Sequence, residues 1–275
     1  MRAVVTGSRG FIGRNLTKEL VKIGFFVIEI DDDFFKSENW EAELIAQVRL
    51  AKPDAIFHVG ACSDTLENRV QFIMERNFES TKLLAEVSNS LQIPFIYSSS
   101  AANYGVNGRV PSNLYGWSKY VGESLVSAHG GVSLRYFNVY GPGEADKNHM
   151  ASFFLQSFLS HKKGAESKLF PGFPKRDFIY IMDVVKANIQ ALNSYNEIKG
   201  GIFDVGTSSP RTFEEALQIL GLPFSYASEN DIPHGYQFYT CANVEKWLPN
   251  WKPEYTLELG LATYLEELNK KDIGN

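Results

Sequence analysis

The chain has 275 residues and 44% hydrophobic content, which suits one large α/β domain or a main domain with a smaller appendage. Its 27 Lys and Arg against 32 Asp and Glu give a net charge of −5 with no basic run, which argues against a nucleic-acid partner. Two distant cysteines, Cys62 and Cys241, and five unclustered histidines argue against a zinc site or a disulfide framework.

No signal-peptide pattern precedes residues 1–6, and no apolar run approaches the roughly 20 residues that span a bilayer. A soluble protein of a reducing cytoplasm, with no membrane partner, is the expectation. Residues 3–6 are a short apolar run and predict a buried first strand. The turn Gly7-Ser8-Arg9-Gly10-Phe11-Ile12-Gly13 follows, then a helical pattern through Leu16, Leu20 and Ile23, closed by Gly24. Residues 25–30 predict a second strand, ending at Asp31-Asp32-Asp33. Strand, glycine turn, helix, strand and acid form the βαβ dinucleotide-binding pattern.

Residues 40–50 read as a helix, 55–59 as a strand opening into Gly60-Ala61-Cys62-Ser63, and 77–89 as a helix. Residues 93–97 predict a strand that ends in Ser98-Ser99-Ser100; a helix over 115–127 and a strand over 132–136 follow. Strands alternating with helices imply a Rossmann-type, doubly wound parallel sheet covered on both faces. Beyond residue 143 the rhythm loosens. A helix is expected over 150–159, extended segments over 168–170 and 178–181, and a helix capped by Asp183 running to about 192. A late strand over 201–205 precedes the capping box Thr212-Phe213-Glu214-Glu215. Thr256 caps a last helix whose Leu257, Leu261, Tyr264 and Leu265 form a core stripe. The expected division is a cofactor domain over 1–140, to which 177–206 return, and a smaller substrate lobe from 141–176 and 207–275.

The chemistry begins with Gly7, Gly10 and Gly13, which let backbone N–H groups and a helix N-terminus approach a pyrophosphate. Asp31 and Asp32 stand where a carboxylate accepts from the adenosine ribose and repels a 2′-phosphate. That favours NAD, although Lys36 is near enough to meet a phosphate. Tyr115 and Lys119 lie four residues apart and share a helix face. A lysine beside a tyrosine favours the phenolate and lowers its pKa from about 10, so the phenol can exchange a proton with an alcohol or carbonyl. Ser100, at the strand end before that helix, completes a Ser–Tyr–Lys constellation. Alone, each of these signals is common.

Together they resemble the extended short-chain dehydrogenase/reductases, mostly nucleotide-sugar epimerases and dehydratases. The motifs are Thr6-Gly7-x-x-Gly10-Phe11-Ile12-Gly13, Ser100-x-x-x-Tyr104-Gly105, Tyr115-x-x-x-Lys119, Arg135-Tyr136-Phe137-Asn138-Val139-Tyr140-Gly141-Pro142 and Arg176-Asp177-Phe178-Ile179-Tyr180. The stretches 56–63, 93–97, 147–152 and 175–178 are similar to the ADP-glycero-manno-heptose 6-epimerases of that family, which serve lipopolysaccharide synthesis. The resemblance implies a homo-oligomeric enzyme, a bound NAD(P) and a nucleotide-diphosphate sugar. It implies that Tyr115 and Lys147 act as acid/base groups on the two faces of a transient C6 carbonyl. Ser100 would hold the reacting oxygen, and Lys119 would bind the nicotinamide ribose. Phe11, Ile12, Asp31, Asp32, Gly60, Ala61, Cys62, Ser63, Asn77 and Val139 match cofactor positions. Asn138, His149, Gln156, Phe170, Pro171, Gly172, Phe173, Arg176 and Tyr236 match substrate positions. The Arg176 guanidinium suits a diphosphate.

Four departures stand out. The segment after Asp33 is short, so a strand bearing a basic residue for a 2′-phosphate is missing. Gly143 replaces an arginine, His149 a small hydroxyl residue, and Gln156 a histidine. Alternatives are a UDP- or dTDP-sugar 4-epimerase or dehydratase, or a non-catalytic nucleotide-binding protein on the same fold. Ala101 and Ala102 after Ser100 argue against a dehydratase, which needs a carboxylate there.

Overall fold

The computed structural model describes residues 1–106, 108–233 and 236–273, with all side chains among them except those of 148–149 and 271–273. In chain order, β1 (Arg2–Thr6), α1 (Phe11–Lys22), β2 (Phe26–Ile30), α2 (Trp40–Ala51), β3 (Ala55–His58), α3 (Val70–Met74), α4 (Ser80–Leu91), β4 (Phe95–Ser100), α5 (Leu114–Ala128) and β5 (Val132–Tyr136) alternate as expected. Then come β6 (Asn138–Tyr140), α6 (Phe153–Lys162), β7 (Ser167–Leu169), β8 (Lys175–Arg176), β9 (Phe178–Tyr180), α7 (Ile181–Asn193), α8 (Tyr195–Ile198), β10 (Ile202–Val205), β11 (Arg211–Thr212), α9 (Phe213–Leu220), β12 (Phe224–Tyr226) and α10 (Leu257–Ile273).

Six strands form one parallel sheet in the order β10-β5-β4-β3-β1-β2. The order reverses beside β1, and ligands of open α/β sheets bind at the strand C-termini at such a point. β2 is an edge strand, because α2 alone carries the chain from β2 back to β3. The expected absence of a further strand after Asp33 is therefore real, and Phe26 on β2 is left 65% exposed. The inner strands β3 and β4 are buried on both faces, as a helix-covered parallel sheet requires. Leu16, Leu20, Val184 and Ala187 of α1 and α7 pack one face, and Leu44, Val48, Leu84 and Val126 of α2, α4 and α5 the other. Leu257, Leu261 and Tyr264 of α10 join the first of these cores, so the final helix packs with the central sheet's helices.

Three two-stranded sheets, β6·β9, β8·β11 and β7·β12, stand apart from the main one. Three local expectations are corrected. α6 starts at Phe153, because the Ser152 hydroxyl caps it by accepting from Leu155 N (3.4 Å). Asp183 does not cap α7, which starts two residues earlier; its buried carboxylate accepts from Glu254 N and Tyr255 N, both at 3.0 Å. The helix expected over 77–89 begins at Val70 and passes through a π-helical turn, Glu75–Glu79, before α4. The Thr212–Glu215 capping box forms as read.

A β-carbon on Gly13 would stand 2.0 Å from Gly7 O, whereas one on Gly24 would meet nothing within 4 Å. Gly13→Ala should therefore cost roughly 2–3 kcal/mol by overpacking. Gly24→Ala, at φ 92°, should cost only about 1 kcal/mol of backbone strain. Urea denaturation of both variants checks the ranking, and equal costs would count against it.

Candidate active site

The glycine turn is built by close backbone approach. Gly7 has φ 66°, its N–H donates to Ile30 O (2.8 Å), and a β-carbon there would lie 2.5 Å from Gly60 Cα. Only glycine lets the end of β1 meet the end of β3 this closely. Gly10 opens α1 without any side-chain cap, so the first helical N–H groups are left to an outside acceptor such as a pyrophosphate. A cavity of about 350 Å³ runs from this turn past Asp31, Asp32, Phe34, Phe35 and Arg76. It adjoins a second cavity of about 210 Å³, bordered by Phe11, Ile12, Gly60, Ala61, Ser63, Tyr115 and Lys119. These residues fit a dinucleotide lying across the sheet's C-terminal edge.

Asp31 faces the adenosine end of that path. Its carboxylate accepts from Arg9 N (3.0 Å) and Ser8 Oγ (2.7 Å) and pairs with the Arg9 guanidinium (3.1 Å). Arg9 also reaches Asp33 (2.5 Å), and Lys36, almost fully exposed, pairs with Asp33 too (2.6 Å). Asn77 is wholly buried. It accepts from Cys62 N (2.8 Å) and donates to Cys62 O (2.9 Å) and Ser118 Oγ (2.9 Å), so it shapes the 60–63 turn from behind.

The Asn113 side chain caps α5 by accepting from Gly116 N (2.8 Å), which fixes Tyr115 in the first turn with Lys119 one turn on. The expected lowering of the Tyr115 pKa by Lys119 is not what the structure shows. Burial pushes the phenol up, and the Ser100 hydroxyl only partly offsets this. Lys119 instead donates to Ser98 O (2.7 Å) and lies over the Tyr97 ring (4.7 Å to its centroid). Burial pulls its own pKa down to about 7, against the pull of Glu123.

A third cavity, of about 410 Å³, continues from the second and shares Phe11, Ile12, Ser99, Tyr115, Tyr136 and Lys147 with it. Ser100, Asn138, Val139, Ala151 and Phe213 also line it. Lys147 sits in the short helical turn Ala145–Met150, with its amine 5.7 Å from the Phe11 ring centroid. Burial lowers its pKa and Glu144 raises it. The structure thus brings Ser100, Tyr115 and Lys147, far apart in sequence, to one cavity.

The remaining positions cluster beside it. Phe170 packs on Tyr236 (5.0 Å between centroids), and Arg176 lies over Tyr236 (5.2 Å) and Phe213 (5.7 Å). The turn Pro171-Gly172-Phe173 presses Gly172 (φ 95°) toward Phe238 and leaves Phe173 exposed. Asn138 Oδ1 accepts from Thr240 Oγ1 (3.2 Å). Gln156 is exposed and donates to Ala151 O (2.7 Å), at its own helix start. The His149 side chain lies outside the described residues. Among the described residues there is no cluster of metal-ligating groups, and no helix is long and apolar enough to cross a membrane.

With this geometry in view, residues 3–206 match the family model described as the NAD dependent epimerase/dehydratase family. The chain belongs to that family. It is 34% identical to the ADP-L-glycero-D-manno-heptose-6-epimerase of Brachyspira hyodysenteriae, over 97% of this chain and 98% of that protein. The enzyme of the same name from Cupriavidus pinatubonensis is 35% identical over 80% of this chain and 77% of its own. The crystal structure of the Helicobacter pylori ADP-L-glycero-D-manno-heptose-6-epimerase superposes with a TM-score of 0.84 at 29% identity, covering 98% of this chain and 96% of that one.

Some residues important to this epimerase-family site escaped the sequence reading. Arg9, inside the glycine turn, ties up the acidic run. Ser99 lines both inner cavities and donates to Glu123 (2.5 Å). Glu123 also holds Arg135 through two 2.7 Å bonds, and its place four residues after Lys119 was a signal available in the sequence. Lys119 carries a testable consequence. Its folded pKa lies below the unfolded value, so its charge destabilises the fold below about 7. That cost is relieved as pH rises toward the unfolded value of about 10.4. The stability of Lys119→Met relative to the wild type should therefore be greatest near pH 6.5 and shrink by pH 9.5, read by urea denaturation. A pH-independent difference would contradict the burial argument.

Proposed function

We propose that this chain is an ADP-L-glycero-D-manno-heptose 6-epimerase, a soluble cytoplasmic homo-oligomer that works by transient oxidation at C6 of its sugar. The observation that carries the reading is the meeting of Tyr115 and Lys147 on one cavity that adjoins the dinucleotide path. Hydride returns to the opposite face of the carbon, so the carbonyl is presented in two orientations, and two proton-transfer groups can serve them, one in each. When bound, the nicotinamide supplies the removal and return of hydride. Tyr115 and Lys147 take the C6 hydroxyl proton and give it back, one on each face of the transient ketone. Ser100 holds the reacting oxygen beside Tyr115. Lys119 holds the nicotinamide ribose. Asn138, His149, Gln156, the Phe170–Phe173 turn and Tyr236 are proposed to hold the substrate.

Arg176 fits the diphosphate. It is 8% exposed, flanked by Tyr236 and Phe213, and no carboxylate among the described residues pairs with it. Asp177, its neighbour, is engaged elsewhere: it accepts from Thr207, Ser208 and Ala242. Burial pulls the guanidinium pKa down, which favours an anionic partner in this place.

NAD is the proposed cofactor. A 2′-phosphate would approach Asp31 and Asp32; of the nearby cations, Arg9 and Lys36 are paired with that acidic run, and Arg76 is stacked on Phe35 and Phe72. No strand beyond β2 offers another. Titration with NAD and NADP should show NAD bound at least roughly tenfold more tightly. Equal affinity would sink this assignment.

For the reaction, the purified protein is incubated with ADP-, UDP- and dTDP-sugars and the epimers are followed by NMR. ADP-heptose should interconvert. Turnover of a UDP-hexose without turnover of ADP-heptose would reject the substrate. Tyr115→Phe and Lys147→Met should each lower turnover by roughly 100-fold or more while retaining the cofactor. Near-normal turnover in either variant would remove that residue from the chemistry.

A further inference from the structure

The segment that carries Lys147 is closed by a buried carboxylate. After β6, Gly141-Pro142-Gly143 turn the chain, with φ of 138° and 96° at the two glycines. Glu144 follows and is 1% exposed. Its Oε1 accepts from Ser152 Oγ (2.7 Å) and Gly141 N (3.3 Å), and its Oε2 accepts from Ser152 N (2.5 Å). One side chain therefore holds both ends of the segment 141–152. The Tyr264 hydroxyl, from α10, hydrogen-bonds the same carboxylate. Within the segment, Lys147 N donates to Glu144 O (3.0 Å). From outside, Asn15 of α1 donates to Pro142 O (2.9 Å), and Arg14 pairs with Asp146 (2.7 Å).

We propose that Glu144 is a positioning residue for proton transfer by Lys147: it clasps the segment so that the amine stands at the cavity, and its charge favours the protonated form of that amine. The inference rests on the acid/base reading of Lys147. Its geometric half follows from the bonds just given. Its electrostatic half follows from the surroundings of the amine. Among the described residues, the charged or titratable groups around Lys147 are Glu144 and Asp146 in its own segment, Arg14 from α1, Tyr115 and Lys119 from α5, and Tyr136 from β5. Asp146 is engaged by Arg14. Lys119 is a cation when charged and Tyr115 is neutral below its raised pKa, so neither favours a second ammonium. Burial opposes the charge on Lys147, and Glu144 is the group that supports it.

The test is steady-state epimerisation of ADP-heptose by the cofactor-loaded enzyme across pH 6–10, with Glu144→Gln, Tyr264→Phe and Lys147→Met. Glu144→Gln keeps the size of the clasp and removes its charge. Its kcat should fall roughly 10- to 100-fold with KM within about threefold of the wild type. The basic limb of its kcat–pH profile should move down by roughly half a unit or more. Tyr264→Phe removes one hydrogen bond but not the charge, so kcat should fall several-fold with the limb unmoved. Wild-type kcat in Glu144→Gln, or a fall in kcat with an unmoved limb, overturns the inference. If Glu144→Gln does not fold, unchanged kcat in Tyr264→Phe overturns it. Lys147→Met separates the two readings. An active Lys147→Met sinks the role of Lys147 itself, whereas an inactive one beside a normal Glu144→Gln sinks only the role of Glu144.

Discussion

The segments around Arg176 and Tyr236 hang on one carboxylate, with no cation paired to it among the described residues. Asp177 is fully buried. Its Oδ1 accepts from Thr207 N (2.7 Å) and Thr207 Oγ1 (2.6 Å), and its Oδ2 from Ser208 N and Ala242 N (both 2.9 Å). A buried charge is costly unless several donors converge on it, and here four do. The donors come from two separate passes of the chain: the turn after β10 and the segment beyond Tyr236. Asn138 N, from a third pass, donates to Asp177 O (3.0 Å). Gly206 has to be glycine for this gathering, since a β-carbon would come within 2.9 Å of Asp177 Oδ2 and 2.7 Å of Ala242 Cβ. Successive residues of an extended chain point to opposite sides. With Asp177 turned inward to the staple, Arg176 is directed to Tyr236 and Phe213. Arg176 therefore does not pair with its neighbour Asp177.

On the cofactor side the ordering element is α5. Tyr115, Lys119 and Glu123 recur every four residues, so one helix face runs from the cavity into the interior. The phenol borders the cavity, the ammonium lies beneath it, and the carboxylate beneath that is fixed by Arg135 and Ser99. Burial weakens the ammonium and Glu123 restores it. Nearby His58 is held between Thr6 and Thr81, and burial together with Lys119 pulls its pKa to about 3, so it stays neutral. The cations under the Tyr115 helix are therefore Lys119 and, paired with Glu123, Arg135. The same burial draws the Lys119 pKa down to about 7, and Glu123 offsets it only in part.

How much of this could be read from the sequence depended on distance along the chain. The βαβ start was legible because its strand, glycine turn, helix and acid are contiguous. The Thr212–Glu215 box was legible because both partners lie within one helical turn. The edge position of β2 was legible from the short segment after Asp33. Asp183 was misread because its partners, Glu254 and Tyr255, are 71 and 72 residues away. The local rule of an acid at a helix start lost to a tertiary one. Lys147 illustrates the reverse: it was reached only through the family resemblance, and it is the fold that lays its amine against Phe11, 136 residues earlier in the chain. The Tyr115 pKa was misjudged because spacing gave proximity to Lys119 but could not give burial, which proves the larger effect.

The missing strand beside β2 has a structural substitute. Phe34, Phe35 and Trp40 cluster just after the acidic run, with centroids 4.3 Å apart for the two phenylalanines and 4.8 Å for Phe35 and Trp40. Arg76, in the π-helical turn, stacks its guanidinium over Phe35 (4.6 Å) and Phe72 (3.9 Å). Phe34, Phe35, Phe72 and Arg76 line the first cavity beside Asp31 and Asp32. A π-helical turn widens the helix at the point where Arg76 leaves it, and the adjoining Asn77 fixes the 60–63 turn from the same element. One irregularity in a helix thus serves both ends of the cavity wall. Aromatic packing and a stacked guanidinium thus close the space beside the edge strand, next to the acids of the turn after β2.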